Sequence, residues 1–227
     1  MTTRVHDPTA PSCAPEAGAS PDAPGASFQV LWQRLHWRNS EANAPLRTLG
    51  LIGCAGGEGV STVAVRLAVE AARTGREPVL LVDAHLRRPT VHRLLGVKTG
   101  PGLAEALRDG LPLGEILQPT SVARLTVLAA GATDADPAFL EETPGLDGLL
   151  ETLKDEFGLI VLDLPPAAQS CATVGLLDGV ILVAAAERTG LESVRREKER
   201  LEAQTRLLGV VLNQERHYLP AWLDRLL

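Results

Sequence analysis

Apolar and polar residues follow two different periodicities from about residue 48 onward, and together these predict an α/β protein. Short, nearly continuous apolar runs are typical of strands buried on both faces of a parallel sheet. Such runs cover residues 49–53, 79–83, 125–128, 159–163, 180–184 and 208–213. Helices are predicted between them at residues 61–73, 90–95, 103–107, 113–117, 146–156 and 192–206. Strands separated by helices imply a mostly parallel sheet flanked by helices in three layers, with right-handed crossovers.

The N-terminal segment has neither periodicity. Residues 1–27 contain five prolines among alanine, serine, glycine and scattered charge, and they have almost nothing apolar to bury. We therefore predict a disordered tail over residues 1–27 and one folded domain over residues 28–227. At the start of that domain, residues 28–38 have apolar side chains at helical spacing. They predict a short amphipathic helix, which either packs on the domain or serves as a docking segment.

Composition excludes several classes of protein. The 227 residues carry 22 Lys+Arg against 28 Asp+Glu, and this acidic balance argues against an electrostatically driven nucleic-acid binder. Three widely separated cysteines form neither a disulfide framework nor a CxxC metal site, and they suit a reducing cytoplasm. No apolar run approaches the roughly 20 residues that span a bilayer, and no secretory signal is recognisable. We therefore expect a cytoplasmic protein that is not inserted into a membrane.

A glycine-rich loop between the first predicted strand and the next helix carries the main chemical signal. Residues 53–62 are GCAGGEGVST, and glycines at such a place let backbone N–H groups close around an anion at a helix N-terminus. The Ser61 hydroxyl is suited to Mg²⁺. A phosphate-binding loop also needs a lysine directly before this serine, and Val60 stands there instead. The phosphate cradle is present without its usual cation.

Two acidic residues stand at the ends of predicted strands. Asp83 ends the strand at residues 79–83, and Asp163 ends the strand at residues 159–163. Ligands of parallel α/β sheets collect beyond the carboxyl ends of the strands, so we expect both acids to converge with the loop. Carboxylates there hold Mg²⁺ or position a nucleophile.

These blocks together resemble the bacterial tyrosine kinases of capsule and exopolysaccharide systems, within the deviant-Walker P-loop group that includes the MinD and ParA ATPases. The resemblance runs from about residue 30 to 213 and includes the segments LRRP, LTVLAAG, FGLIVLDLPP and LLGVVLN. It implies a P-loop NTPase-like fold, with Asp83 and Asp163 as catalytic acids that bind Mg²⁺ together with Ser61. It also implies that Asn213 lies near the adenine of ATP or ADP. The loop residues implied to contact the nucleotide are Gly56, Gly57, Glu58, Gly59, Val60, Ser61 and Thr62.

The departures from the family pattern concern catalysis. Val60 replaces the loop lysine, and His85 replaces the second aspartate of the family's D-x-D motif. The family's C-terminal tyrosine cluster is reduced to Tyr218. The only lysines, Lys98, Lys154 and Lys198, lie outside the loop and its helix.

These residues lead to three functional hypotheses. The favoured hypothesis is a catalytically impaired kinase relative that acts as a regulatory or scaffold subunit in exopolysaccharide or capsule synthesis or export. The alternative is an active ATP-binding kinase or ATPase that uses a substitute arginine, with Arg87 and Arg88 as candidates, or a lysine donated by a partner. A nicotinamide-dinucleotide enzyme is disfavoured, because the Tyr-x-x-x-Lys pair that it needs is missing.

The resemblance also implies the partners. These are a membrane polysaccharide co-polymerase, which would recruit the protein to the inner membrane, or an active kinase paralogue. Homo-oligomers are implied as well.

Three further side chains have competing interpretations. Cys54 in the loop is either a nucleophile or, as we favour, a small buried hydrophobe. His85 and His92 either bind a metal or have ordinary roles, with His92 packing at a helix end.

Overall fold

One eight-stranded sheet organises the computed structural model, which describes residues 2–6, 26–40, 45–131 and 144–215. The strand order is β1-β8-β7-β2-β6-β3-β5-β4. The central strands β8, β7, β2, β6, β3 and β5 run parallel, while β1 and β4 pair antiparallel at the two edges. The strands are β1 (Thr2–His6), β2 (Thr48–Gly53), β3 (Val79–Asp83), β4 (Leu117–Pro119), β5 (Leu125–Leu128), β6 (Leu159–Asp163), β7 (Gly179–Ala185) and β8 (Leu207–Glu215).

Helices cover both faces of the sheet. They are α1 (Ala26–Ser40), α2 (Val60–Thr74), α3 (Val91–Leu95), α4 (Leu103–Asp109), α5 (Leu113–Ile116), α6 (Leu146–Glu156), α7 (Cys171–Gly175) and α8 (Leu191–Glu202), with a 3-10 turn at Ala167–Gln169. Alternate residues of the central strands point into two separate apolar clusters. One cluster packs under α1 and α2, and the other packs under α4, α6 and α8. Because both faces are covered, the strands are continuous apolar runs rather than alternating ones.

The predicted fold class is confirmed: the protein is a three-layer α/β structure with a mostly parallel sheet. All six predicted strands form, and the predicted helix at residues 28–38 lies within α1. The predicted helix at residues 192–206 ends earlier, at Glu202, and a turn leads from it into β8. The predicted helix at residues 113–117 is shorter too, because Leu117 begins the edge strand β4.

Strand β1 lies inside the segment that the sequence predicts as a disordered tail. Its residues TTRVH include β-branched Thr and Val, which favour strands, and the free edge of β8 supplies hydrogen-bonding partners. Composition averaged over 27 residues hides so short a segment. Residues 7–25 lie outside the described residues, so the disordered tail stays a prediction there.

Helix α1 packs on the domain with its apolar face. Phe28, Leu31 and Leu35 are buried in the first cluster, and the Arg66 guanidinium lies 5.6 Å from the centre of the Phe28 ring. Arg66 therefore belongs to the contact between α1 and α2. Within the described parts of the chain, no helix combines the length and the apolar character needed to cross a bilayer.

Candidate nucleotide-binding site

The loop from β2 to α2 depends on two glycines with left-handed backbone. Gly57 has φ +82° and Gly59 has φ +80°, a region in which residues with a Cβ are strained. Gly59 is the N-cap of α2, and its carbonyl accepts the first helical hydrogen bond from the Val63 N–H at 3.0 Å. The loop thus ends at the N-terminus of a 15-residue helix, as the sequence predicts.

Two side chains at the end of β8 hold the loop by hydrogen bonds to its carbonyls. The Asn213 side-chain amide donates to the Glu58 carbonyl at 2.8 Å, and the Gln214 amide donates to the Gly57 carbonyl at 2.8 Å. A Cβ at Gly59 would lie only 2.4 Å from Asn213 Nδ2, so this packing requires glycine. The structure places Asn213 against the loop backbone, and its position near an adenine stays a prediction. Gln214 was not predicted, because nothing in its local sequence indicates a contact with the loop 157 residues away.

Glu58 is turned into the protein. It is only 3 % exposed, and its Oε1 accepts the Ala55 N–H at 2.9 Å. Burial, followed by the negative charges of Glu58 and Glu197, raises the pKa of Cys54 to about 11. The thiol is therefore protonated at neutral pH, which supports the interpretation of Cys54 as a small buried hydrophobe.

Val60 places a branched apolar side chain at the end of the loop, where α2 begins. It is half-buried against the first cluster, and its Cγ2 lies 3.0 Å from where a Cβ at Gly53 would stand. The loop residues line one side of a cavity, and none of the three lysines of the chain lines it. Lys154 pairs with Glu151 at 2.8 Å, Lys198 pairs with Glu202 at 2.7 Å, and Lys98 is exposed.

Asp83 and Asp163 stand side by side at the carboxyl edge of the sheet, opposite each other in the register of β3 and β6. Both are fully buried. Asp83 Oδ2 accepts the N–H groups of Thr90 and Val91, both at 3.0 Å, and its Oδ1 accepts the His85 N–H at 3.2 Å. Burial raises the pKa of Asp83 to about 6, although these three hydrogen bonds favour its charged form.

Among the described residues, Asp163 lacks the hydrogen bonds that surround Asp83. Neither of its carboxylate oxygens has a hydrogen-bond partner in the described part of the chain. Burial, and then the charge of Asp83, hold the pKa of Asp163 well above its usual range, while the Ser61 hydroxyl, which lies nearby without a well-formed hydrogen bond to it, lowers the pKa. Two buried, unpartnered carboxylate oxygens beside a serine hydroxyl fit Mg²⁺, which prefers oxygen ligands. Asp163 and Ser61 are thus the residues best placed to hold that ion, while Asp83 is engaged with backbone amides.

Three arginines line the cavity beside the loop. The cavity has a volume of about 780 Å³ and is lined by the loop, Ser61, Thr62 and the segment that follows β3. Arg87, Arg88 and Arg93 line it with exposed side chains, and no ion pair engages any of them among the described residues. Arg87 and Arg88 were predicted as candidates, whereas Arg93 was not, because the position of α3 places it beside the cavity.

The two histidines after β3 are in different positions. His85 lines the cavity, and its Nδ1 accepts the Arg88 N–H at 3.2 Å. Burial, and then the charge of Arg88, lower the pKa of His85. Burial, and then Arg93, lower the pKa of His92, which does not line the cavity. Within the described residues no three His, Cys, Asp or Glu side chains are grouped as a metal site, so nothing supports a metal held by this pair.

Comparison with known proteins places this site in a family. A family model described as "ParA: NUBPL iron-transfer P-loop NTPase" matches residues 47–222. The chain belongs to the ParA-like P-loop NTPases. Its relatives among these NTPases include tyrosine-protein kinase YwqD of Bacillus subtilis strain 168, which is 32 % identical over 161 residues, or 69 % of this chain and 68 % of YwqD. They also include tyrosine-protein kinase CpsD of Streptococcus agalactiae serotype III, which is 31 % identical over 163 residues, or 70 % of each chain.

A solved structure shares the fold of this ParA-like P-loop NTPase. The crystal structure of the chimerical protein CapA2B2 superposes with a TM-score of 0.79 at 26 % identity, covering 87 % of this chain and 88 % of that one. The resemblance to bacterial tyrosine kinases drawn from sequence motifs is confirmed.

Proposed function

We propose that this protein is a regulatory or scaffold subunit of a bacterial exopolysaccharide or capsule system, with a P-loop site that binds phosphate but transfers it poorly. The observation that carries the proposal is Val60. Its side chain packs half-buried against the core at the point where the resemblance implies the loop lysine, and no lysine lines the cavity.

The free energy that the missing lysine would contribute decides whether activity is weak or normal. One charge-assisted hydrogen bond contributes about 1.5–3 kcal/mol, so the missing lysine weakens nucleotide binding by roughly 10–150-fold. The loss in the transition state is larger, because an arginine that stabilises the developing charge contributes about 10³–10⁵ in rate. ATP or ADP with Mg²⁺ would therefore still bind weakly at Asp163 and Ser61, while phosphoryl transfer would be nearly lost.

Radiolabelled ATP tests the proposal. We expect the purified chain with Mg²⁺ to put no phosphate on Tyr218, which lies outside the described residues, or on an added kinase relative. Phosphate that appears and then vanishes in Asp163→Asn would contradict the proposal. A parallel lane with an active family kinase verifies that the assay detects transfer.

The three arginines favour a second candidate, an active kinase or ATPase. Here Arg87 or Arg88, or a lysine from a partner, neutralises the phosphates. This candidate predicts Mg²⁺-dependent ATP hydrolysis that rises with partner concentration and falls in Arg87→Gln. A flat hydrolysis trace over all partner concentrations would argue against it.

The partners and the location belong to the same proposal. Tyrosine-kinase relatives and the absence of a lysine from the loop support association with an active kinase paralogue or a membrane polysaccharide co-polymerase, in the cytoplasm beside the inner membrane. Co-purification of the full chain with a co-polymerase from the same genome, tested with and without ATP, measures this directly. Homo-oligomerisation is tested in the same preparation by light scattering.

A further inference from the structure

We infer that the arginine-lined cavity binds a phosphate monoester directly, through Arg87, Arg88 and Arg93, without a metal ion. This inference rests on the proposed function in one respect, namely that the site still binds phosphate although it transfers it poorly. The arrangement of the segment after β3 carries the inference.

Asp83 anchors the backbone of the segment that carries the arginines. Its carboxylate accepts the His85 N–H at one end of the segment and the Thr90 and Val91 N–H groups at the other. The turn carrying Arg87 and Arg88 lies between these anchor points, and Arg93 follows on α3. A second contact fixes the turn, because the Arg88 N–H donates to both the carbonyl and Nδ1 of His85. The buried acid thus acts as a positioning residue for cations that face the cavity.

The charge facing the cavity is positive, although the whole chain carries a formal charge of -6. Among the described residues that line it, Glu58 is the only acidic one, and that carboxylate is turned inward onto the Ala55 N–H. Asp83 and Asp163 lie buried behind the lining rather than in it. Three permanently charged guanidinium groups without ion-pair partners in the described chain are therefore free to take an anion.

His85 adds a donor where the resemblance implies an acid. Because its Nδ1 accepts the Arg88 N–H, the ring proton of the neutral imidazole lies on Nε2. An aspartate at this position would repel an incoming phosphate, whereas an imidazole N–H does not. This change makes the cavity more suitable for an anion and less suitable for a second metal-bound carboxylate.

The chemistry of the lining indicates the ligand class. Guanidinium groups bind phosphate oxygens through paired hydrogen bonds, and the N-terminus of α2 adds backbone N–H groups. Apolar surface from Leu94, Leu164 and Pro166 lines the same cavity and would contact a flat ring attached to the phosphate. Two sources carry such a group, an adenine nucleotide and the phosphotyrosine of a kinase substrate, and they share a terminal phosphate on a ring-bearing molecule.

Calorimetry on the full chain in EDTA tests the inference. The probes are inorganic phosphate, AMP and phosphotyrosine, each titrated into the wild type, the double variant Arg87→Gln/Arg93→Gln, and the control Arg73→Gln. Arg73 is exposed in the last turn of α2, a helix roughly 22 Å long, and so lies far from the loop. Since the replaced side chains are all exposed, the variants should fold, and thermal unfolding verifies this.

We expect AMP or phosphotyrosine to bind in EDTA, and to bind at least about tenfold more weakly to the double variant, the loss that one or more charge-assisted contacts produce. Arg73→Gln should leave affinity unchanged. Whichever of AMP and phosphotyrosine binds more tightly identifies the source of the phosphate group. Binding that requires Mg²⁺, binding to inorganic phosphate alone, or equal affinity in the double variant would each overturn the inference.

The outcome is separable from that of the proposed function. Phosphoryl transfer in the labelled-ATP assay with metal-free binding intact overturns the proposed function only. Absent binding in EDTA with no transfer overturns only the inference drawn here.

Discussion

Two neighbouring carboxylates at the residue scale have different hydrogen-bonding environments. Asp83 accepts three backbone N–H groups, while both oxygens of Asp163 have no partner among the described residues. A buried, unpartnered charged group costs free energy that a native protein retains chiefly for function. We therefore propose that Asp163 binds a ligand, whereas Asp83 anchors the following segment through its hydrogen bonds.

Asp163→Asn should stabilise the metal-free protein. Because the pKa of Asp163 is raised in the folded state, folding favours its protonated form, and stability falls as pH rises from the unfolded pKa through the folded one. Asparagine removes this loss, so we expect the free energy of unfolding to rise by about 1–3 kcal/mol at pH 8 and the gain to shrink toward pH 5. Denaturant titrations at both pH values measure it.

The exposed Asp155 provides the control for that experiment. Asp155→Asn should change the free energy of unfolding by less than about 0.5 kcal/mol at either pH. An Asp163→Asn protein that is less stable than wild type at pH 8 would show that the carboxylate is satisfied in solution.

Val60→Lys should restore affinity for Mg²⁺·ATP. The aliphatic part of lysine can keep the contacts that Val60 makes, while its ammonium reaches the cavity. Gaining one charge-assisted contact should tighten binding by roughly 10–150-fold, as measured by calorimetry. Val60→Met adds length without charge and should leave the affinity unchanged. Equal tightening in both variants would show that charge at this position is not what the loop lacks.

At the scale of elements, the end of β8 and the loop before α2 form one unit. Residues 55–57 of the loop are exposed, and the Asn213 and Gln214 side-chain amides donate hydrogen bonds to its carbonyls. Because these bonds use the carbonyls of Glu58 and Gly57, they do not occupy the loop N–H groups that an anion requires.

Gly59→Ala should disrupt that unit. The new Cβ would stand 2.4 Å from Asn213 Nδ2, at φ +80°, so the Asn213 amide must move from the Glu58 carbonyl. We expect a loss of about 1–3 kcal/mol in the free energy of unfolding. Gly56→Ala is the matched control, since a Cβ there meets nothing within 4 Å and the backbone is not left-handed. Similar losses in both variants would contradict the brace between β8 and the loop.

At the scale of the whole molecule, one side chain links the starts of two neighbouring strands. Asp178, just before β7, accepts the Arg47 N–H at 2.9 Å, the Thr48 N–H at 2.8 Å and the Thr48 hydroxyl at 2.9 Å. Its own N–H donates back to Thr48 Oγ1 at 2.9 Å. This contact joins residues about 130 positions apart at the edge of the sheet opposite the nucleotide site.

Asp178→Ala should destabilise the whole domain. The fully buried Thr48 would be left with an unpaired N–H group, at a cost of about 1–3 kcal/mol in cooperative thermal unfolding. Asp109→Ala removes an equally short side chain that pairs with its exposed neighbour Arg108, and should shift stability by less than about 0.5 kcal/mol. Equal shifts would show that the Asp178 contact is solvated and contributes little.

Much of the architecture was predictable because the information is local. Residues 79–83, 125–128, 146–156 and 159–163 form elements with the predicted bounds, since apolar runs and periodicities extend over only four to eleven residues. The edge strands were not predictable in the same way. Strand β1 forms only because β8 offers an edge, and β4 pairs antiparallel with β5 through three residues.

The sequence by itself determined the α/β fold, the glycine-rich loop, the positions of Asp83 and Asp163 at strand ends, and the absence of lysine beside Ser61. Each of these depends on neighbours along the chain. Only the tertiary structure decided that Asp163, unlike Asp83, has no hydrogen-bond partner among the described residues, that Arg93 joins Arg87 and Arg88 at one cavity, and that Asn213 hydrogen-bonds to the loop. Those relations depend on strand register and helix packing between segments far apart in sequence, and local periodicity carries no information about them.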